Sequence, residues 1–439
     1  MPNLTHFISG NRYPALLLLL LPFLITACFN PEPEDYGLAL EAVDVVCVEA
    51  TFRVTASGVP ETWTCGLYRD DSLVVTETLT GQSGYIRDTG LLPVADYTYH
   101  ISYMKEGRDK DRSDLIAVTT LDTTSHDFTW TVETLGDAGS YLNDVAIVDE
   151  NNIYVVGEIR SDSGWYNIGI WNNNQWKFDL VGPVGNILCS VFAFSNNDIW
   201  VSNACSPYHW DGNEWTLYHL ENMGLGYGIC AGNSIWGSSS DNVWFAGNNG
   251  TLVHYDGSRF RRISNPWQSQ LDWSKVKGMG NDVFVVGYTR FSPFKSAFIN
   301  IKNGECKTLV SSNTANGIWD STLGIFSDWG HMITFDILKE HLYVRAIQGI
   351  LKFPHSQDYM SHWIMYQDYP GDFYVDMDTK AGNDILMIGA IRQFIHFNGK
   401  NWKNVFSNPN IYCEYRAMDR KEDLVIVVGD QIVWGKKVK

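Results

Sequence analysis

The chain has 439 residues and a formal charge of −18, from 32 Lys and Arg against 50 Asp and Glu. An apolar fraction of 45% excludes a disordered chain, and 38 Gly with 14 Pro are too few for a collagen-like or low-complexity one. The acidic balance lacks the basic footprint that a phosphate backbone requires, so no nucleic acid is expected as a partner. The length fits two or three domains, although a repeat protein could use most of it as one.

Residues 1–27 read as a signal peptide and are excluded from the fold. Arg12 precedes the apolar run Leu16 to Ile25, which is shorter than the roughly 20 residues that span a bilayer as a helix. Leu24-Ile25-Thr26-Ala27-Cys28 resembles the lipobox of bacterial lipoproteins. The resemblance implies cleavage before Cys28, a diacylglycerol on its sulfur and membrane attachment at a bacterial outer membrane or cell surface. An ordinary secretory signal followed by a chance Cys is the alternative. Residues 28–36 form an acidic, Pro-containing tether. That stretch also resembles the surface-export signal of some Gram-negative lipoproteins, and a plain solvated linker is the other reading.

There are eight cysteines, and lipidation of Cys28 leaves seven, which cannot all pair within one chain. Cys47 and Cys65 fall in one small domain and form a possible disulfide. The remainder are expected as buried small side chains. None has zinc-ligand spacing, so no metal and no cofactor is expected.

From residue 37 to 122 short alternating segments such as Ala50–Thr55 and Asp96–Tyr103 are separated by turn signals, the pattern of a β-sandwich. Leu91-x-Pro93-x-Ala95-x-Tyr97 has the spacing of a tyrosine corner, and Ser113–Thr120 reads as a closing strand. Together they resemble a fibronectin type III domain. That resemblance implies that the Tyr97 hydroxyl bonds back to upstream backbone. Such a module serves as a spacer or as a binder.

Beyond residue 124 the chain repeats. Asn152-Ile-Tyr-Val-Val-Gly157 returns at Asp198, Asn242, Asp282, His341, Asp384 and Leu424, with gaps of 46, 44, 40, 59, 43 and 40 residues. Four strand-like segments per period of about 45 residues mark a β-propeller blade. The expected fold is therefore all-β: a fibronectin type III-like sandwich over 37–122 and a seven-bladed propeller over 125–439. The long gap places an insertion near residues 355–370. Hairpins such as Trp210-Asp211-Gly212-Asn213-Glu214-Trp215 and Phe397-Asn398-Gly399-Lys400-Asn401-Trp402 put Asn, Asp and Gly where tight turns need them. Turn chemistry accounts for those Asp residues better than calcium does. The last copy runs out soon after Trp434, while 127–135 resembles an outer strand standing ahead of the first blade. Residues 127–135 are therefore expected to complete the last blade.

These repeats, together with the first domain, resemble a group of bacterial propeller lipoproteins with Trp-rich blades, some labelled glucosyltransferase-like. No donor-binding fingerprint accompanies that label here. There is no HExxH, GxSxG or Walker loop. Arg259, Arg261 and Arg262 read as a solvated strand face, and His331, His341, His355 and His362 as ordinary histidines near the fifth blade. Tyr359, Trp363, Tyr366 and Tyr369 in the inserted stretch, with Trp329, are the candidates for stacking on a ligand. Of the 17 Trp, 16 lie beyond residue 124 and recur at blade positions, so they read as packing. Trp267, Trp273, Trp329 and Trp363 break the pattern. Two function classes follow: a non-enzymatic surface binding or adhesion module whose partner is a glycan or a surface protein, and a carbohydrate-active enzyme using the propeller channel.

Overall fold

The computed structural model describes residues 36–225, 231–320, 325–328, 330–339, 341–354, 364–366, 374–389, 393–410 and 412–438. Among them there are strands and two short 3-10 turns, and no α-helix. Cys28, Trp329, Tyr359, Trp363 and Tyr369 lie outside the described residues, as do His355 and His362.

Residues 39–119 form two antiparallel sheets over one core. One sheet has the order Ala39–Val45, Glu49–Thr55, Ser83–Thr89. The other runs Ser72–Thr80, Thr62–Arg69, Asp96–Lys105, Arg108–Arg112, with Ile116–Thr119 also pairing Asp96–Lys105. Phe52 and Val54 point into the core while Arg53 and Thr55 point out, as period-two alternation requires. Phe52, Trp63, Leu67, Tyr99 and Ile101 fill the space between the sheets. The Leu92 N–H donates to the Tyr97 hydroxyl at 2.9 Å, tying the loop before that strand to the strand itself. The segment expected as one long closing strand is shorter, Ile116–Thr119.

The expected Cys47–Cys65 disulfide is not formed: both are free, buried thiols. Cys65 belongs to the sandwich core. Cys47 sits in the turn after Val45 and donates to the Asp122 carbonyl at 2.9 Å. Tertiary packing thus assigns them to different environments, and burial pushes the Cys65 thiol up to about 12.

Among the described residues seven four-stranded antiparallel sheets follow, here called I to VII. Their first strands are Tyr141–Asp149, Ser190–Ser195, Ser234–Ser239, Asp272–Met279, Met332–Leu338, Tyr374–Ala381 and Tyr415–Lys421. Each first strand touches the next, and the one in sheet VII touches the one in sheet I, so the sheets close into a ring. This is β-propeller architecture. The second strands, such as Asp282–Tyr288 and Asp384–Gly389, are buried along nearly their whole length. They are covered by neighbouring sheets on both faces, which is why these segments read as unbroken apolar runs without alternation.

Sheet VII takes its fourth strand from Phe128–Glu133, which pairs antiparallel with Ile432–Lys437. Trp130 lies opposite Gly435, where any side chain would collide with the indole. At the seam with sheet I, Trp171, Trp176 and Trp434 pack together, with centroids 4.8 to 6.0 Å apart. Glu133 accepts from the Trp176 indole at 3.2 Å and from the Trp434 indole at 3.0 Å. The extra residues of the long repeat gap are also placed. They precede sheet V, where Ile318–Asp320 and Ile325–Asp328 pair as a separate two-stranded sheet. The expected location near 355–370 is corrected accordingly, because those residues follow the second strand of that sheet.

A recurrent polar pair ties second to third strands. Asp198 bonds His209 at 2.8 Å, Asn242 bonds His254 at 2.7 Å and Asp384 bonds His396 at 2.9 Å. Trp200 stacks on His209 and Trp244 on His254. Sheet V carries Lys352 opposite Tyr343, the place His209 holds opposite Trp200. Lys352 is 1% exposed and ion-pairs with Asp44 of the sandwich. Around it Asn383 donates to the Asp122 carbonyl at 2.7 Å, and Thr124 donates to the carbonyls of Asn383 and Asn398 at 2.6 and 3.1 Å. Side chains at Gly399 and Gly382 would strike Cys47 and Val46, so the two units meet at close range.

Deleting residues 127–135 is expected to abolish the single cooperative melt of the ring, and Trp130→Ala alone to cost about 3 kcal/mol; calorimetry checks both. Lys352→Ala leaves the half-buried Asp44 without its partner, an expected loss of about 3 kcal/mol. Separation of the melt into a sandwich and a ring transition checks it, whereas an unchanged single transition would refute the coupling.

Candidate functional site

Five first strands carry a bulge after a large buried residue: Leu142, Trp273, Met332, Tyr374 and Tyr415. A bulge bends the strand and re-aims the side chains that follow. Those side chains meet over the ring axis. Lys275 of sheet IV reaches Asp376 of sheet VI at 2.6 Å, two sheets away. Lys277 pairs with Asp336 of sheet V. Asp144, Asp378 and Asp419 complete a group of five carboxylates and two ammonium groups.

Most of these carboxylates staple adjacent sheets. Asp144 accepts from the Val191 N–H at 2.9 Å and the Ser190 hydroxyl at 2.8 Å. Asp336 accepts from Thr379 N–H at 2.5 Å, Asp376 from Met418 N–H at 3.1 Å and Asp419 from Ile147 N–H at 2.6 Å. Each therefore satisfies a backbone donor on the next first strand. Burial raises the Asp144 carboxyl to about 7 and also raises Asp419, partly opposed by these hydrogen bonds. Asp378 is different. Its nearest cation is Arg420 at 3.7 Å, and its side chain is 24% exposed. Burial first, then the neighbouring Asp336, push it up to about 7. Burial would lower the Lys277 ammonium, but the charge of Asp336 overrides it and holds it above lysine's ordinary value.

The convergent carboxylates bear on the enzyme reading. Glycoside hydrolysis needs two carboxylates free to flank a sugar. Here four of the five have oxygens committed to backbone donors, and the two lysines lie among them. The arrangement holds the ring together; it leaves a single uncommitted acid, Asp378. Below it, Asp384 accepts from His396, from both Arg420 terminal nitrogens at 2.8 and 3.0 Å and from Lys437 at 2.5 Å. Burial alone would raise that carboxyl, but these donors hold it well below the usual carboxylate range.

The two ends of the ring differ. One end carries the turns between first and second strands and the hairpins between third and fourth. These are polar: Asp211 accepts from the N–H groups of Asn213 and Glu214, Asp256 from Ser258 and Arg259, and Asn398 from Lys400 and Asn401. The hairpin Asp residues thus cap their own turns. Arg259 and Arg261 pair with Asp256 at the surface. Among the described residues no three His, Cys, Asp or Glu converge as a metal would need. The sandwich docks at this end. An opening of about 700 Å³ also lies here, at the seam of sheets I and VII, lined by both signs of charge, including Asp149, Glu150, Lys421 and Lys436.

The opposite end carries the loops between sheets and those between second and third strands. Val184, Met223, Phe291, Phe294 and Tyr412, all exposed, lie on these connections, and exposed Ile318 opens the short strand between sheets IV and V. Two adjoining clefts of about 280 and 440 Å³ open here and share Asp272 and Arg290. Arg416 lies 4.6 Å from the Tyr141 ring centroid and donates to Asn143 at 2.8 Å.

Of the sequence candidates, Tyr366 lies in the strand Ile364–Tyr366 of sheet V, while its companions fall outside the described residues. Trp273 is fully buried in a core cluster, and the Trp267 indole donates to Thr308 at 2.9 Å, so both serve packing. His331 packs on Tyr288 and Phe294, with centroids 5.3 and 5.5 Å away. The axial aspartates were missed, although Asp336, Asp378 and Asp419 each stand five or six residues ahead of a second-strand motif.

No family model matches the chain, and no curated protein matches it. Solved structures match in fold. The structure described as YCF48 bound to D1 peptide aligns at TM-score 0.50 and 11% identity, over 71% of this chain and 95% of that one. YCF48 from Cyanidioschyzon merolae aligns at 0.49 and 9%, over 70% and 98%. The first likeness is one of propeller fold alone.

Asp378→Asn tests the axis. The folded chain holds a proton on Asp378 that the unfolded chain releases near pH 4, so Asp378 makes stability fall as pH rises from about 4 to about 7. The Asn variant is expected to be more stable than the parent at pH 8 by about 1–2 kcal/mol and equal to it near pH 4; denaturant titration at the two pH values checks the sign.

Proposed function

We propose that this chain is a lipid-anchored surface protein in which a seven-bladed propeller acts as a non-enzymatic binding module and a fibronectin type III-like domain holds it off the membrane. The observation that carries the reading is the asymmetry of the ring. Its polar end is occupied by the sandwich, and its other end bears the exposed apolar side chains and two adjoining clefts.

The anchor fits that asymmetry. Strand Ala39–Val45 begins at the end of the sandwich where Tyr36 packs on Tyr103, and it ends beside Asp44, which binds Lys352. Seven residues of strand separate those points by about 20 Å. A membrane attachment at Cys28 would therefore lie beyond the far end of the sandwich, and the loop-bearing end of the ring would face outward. Tyr359, Trp363, Tyr366 and Trp329 remain candidate contacts for a ligand. The solved neighbour described as binding a peptide is consistent with a protein partner for a propeller of this kind. The committed state of the axial carboxylates weighs against the carbohydrate-active reading.

Photo-crosslinking on intact cells tests this. A crosslinking residue at Val184 or Tyr412 is expected to capture a partner, and one at Asn174, on a polar hairpin, is not. Equal capture from both ends, or turnover of any member of a glycan panel by the purified chain, would overturn the reading. Cys28→Ser is expected to release the protein from membranes into the soluble fraction.

A further inference from the structure

We infer that the two adjoining clefts form a docking groove for an extended peptide segment that carries one carboxylate beside an apolar side chain. The inference rests on the loop-bearing end being the binding face, and it adds a location and a ligand chemistry.

The groove runs from the axis, at Asn143 and Trp273, outward between Ser269–Asp272 and the loop Thr289–Lys295. Arg290 stands where its two halves meet. It is exposed and has no ion pair or hydrogen bond among the described residues. Among the described residues, neighbouring cations at this end are engaged. Lys295 donates to Gln270 at 3.0 Å, Arg160 pairs with Glu158, and Arg416 is held by Tyr141 and Asn143. A planar guanidinium binds a carboxylate through two parallel hydrogen bonds, so an unspent one in a groove selects for that group. On a chain of charge −18 this local cation is the exception. Directly after it, Phe291 is 81% exposed, and Pro293 and Phe294 continue the apolar rim.

The amide side chains argue for a peptide over a saccharide. A sugar is recognised by several free hydrogen-bonding groups. Here Asn143 donates to the Leu188 carbonyl at 2.8 Å, Asn233 to the Trp273 carbonyl at 2.9 Å and Gln270 to the Pro266 carbonyl at 2.8 Å. Their donors serve the protein's own loops. The strongest features left for a ligand are the Arg290 cation and the Phe291 ring, and the Ser269, Tyr288 and Ser292 hydroxyls that also line the groove can serve the backbone of a peptide. Asp272, which accepts from the Asn249 N–H at 2.9 Å, lines both halves of the groove and disfavours a second carboxylate nearby.

The full chain is probed against an array of heptapeptides in which Glu, Gln in its place, or a free C-terminal carboxylate stands next to Leu or Phe, with an oligogalacturonate array beside it. The carboxylate peptides are expected to bind at least about tenfold more tightly than their Gln counterparts. Arg290→Ala is expected to erase that difference, Arg290→Lys to restore part of it, and Phe291→Ala to weaken all peptides alike. Equal binding of Glu and Gln peptides, indifference to Arg290→Ala, or binding of the uronates alone overturns the inference. Crosslinking from Val184 and Tyr412 reports separately on the binding face. Capture there without carboxylate preference sinks only the ligand chemistry, while absence of capture sinks the face itself.

Discussion

Each second strand in the ring is covered on both faces, and that constraint governs the rest of the structure. Val285, Val427 and Met387 are fully buried because a sheet lies on either side of each. No sheet can stand at an end, so seven of them must close on themselves. Closure then demands a fourth strand for sheet VII, which Phe128–Glu133 provides. That strand follows the sandwich by only a few residues. The sandwich is thereby drawn against sheets V and VI, where Asp44, Cys47 and Asp122 find their partners.

Closure also shapes the axis. First strands from seven sheets crowd together with bulges that break their ladders and free backbone N–H groups. Aspartate side chains from neighbouring strands accept from those groups. The result is an interior rich in carboxylates whose job is cohesion. Charge alone would suggest catalysis, but the hydrogen-bond partners point elsewhere: Asp144, Asp336, Asp376 and Asp419 are spoken for by Val191, Thr379, Met418 and Ile147.

The propeller-like, all-β character was legible because a repeat writes its period into the chain. Apolar runs such as Asp282-Val-Phe-Val-Val-Gly287 and turn signals such as Asp211-Gly212 are local features. The tryptophans were legible as packing for the same reason. The candidate groove was not. Arg290 is an ordinary loop residue and Asp272 an ordinary first residue of a strand, and only the ring brings them to one opening. Lys352 is similar. In the sequence it is one lysine in a strand; in the fold it takes the place that histidine holds in other sheets and reaches a different unit.

By itself, then, the sequence determined the period, the strand content and the chemistry of the turns, since each depends on residues near one another in the chain. Tertiary structure decided the rest. It separated Cys47 from Cys65 by placing one at a junction and the other in a core. It put the long repeat gap ahead of sheet V, and it turned four of the five axial aspartates into staples. It also decided at which end of the ring the sandwich docks. Those outcomes depend on contacts between residues far apart in the chain, and spacing carries no record of which distant groups will share a hydrogen bond.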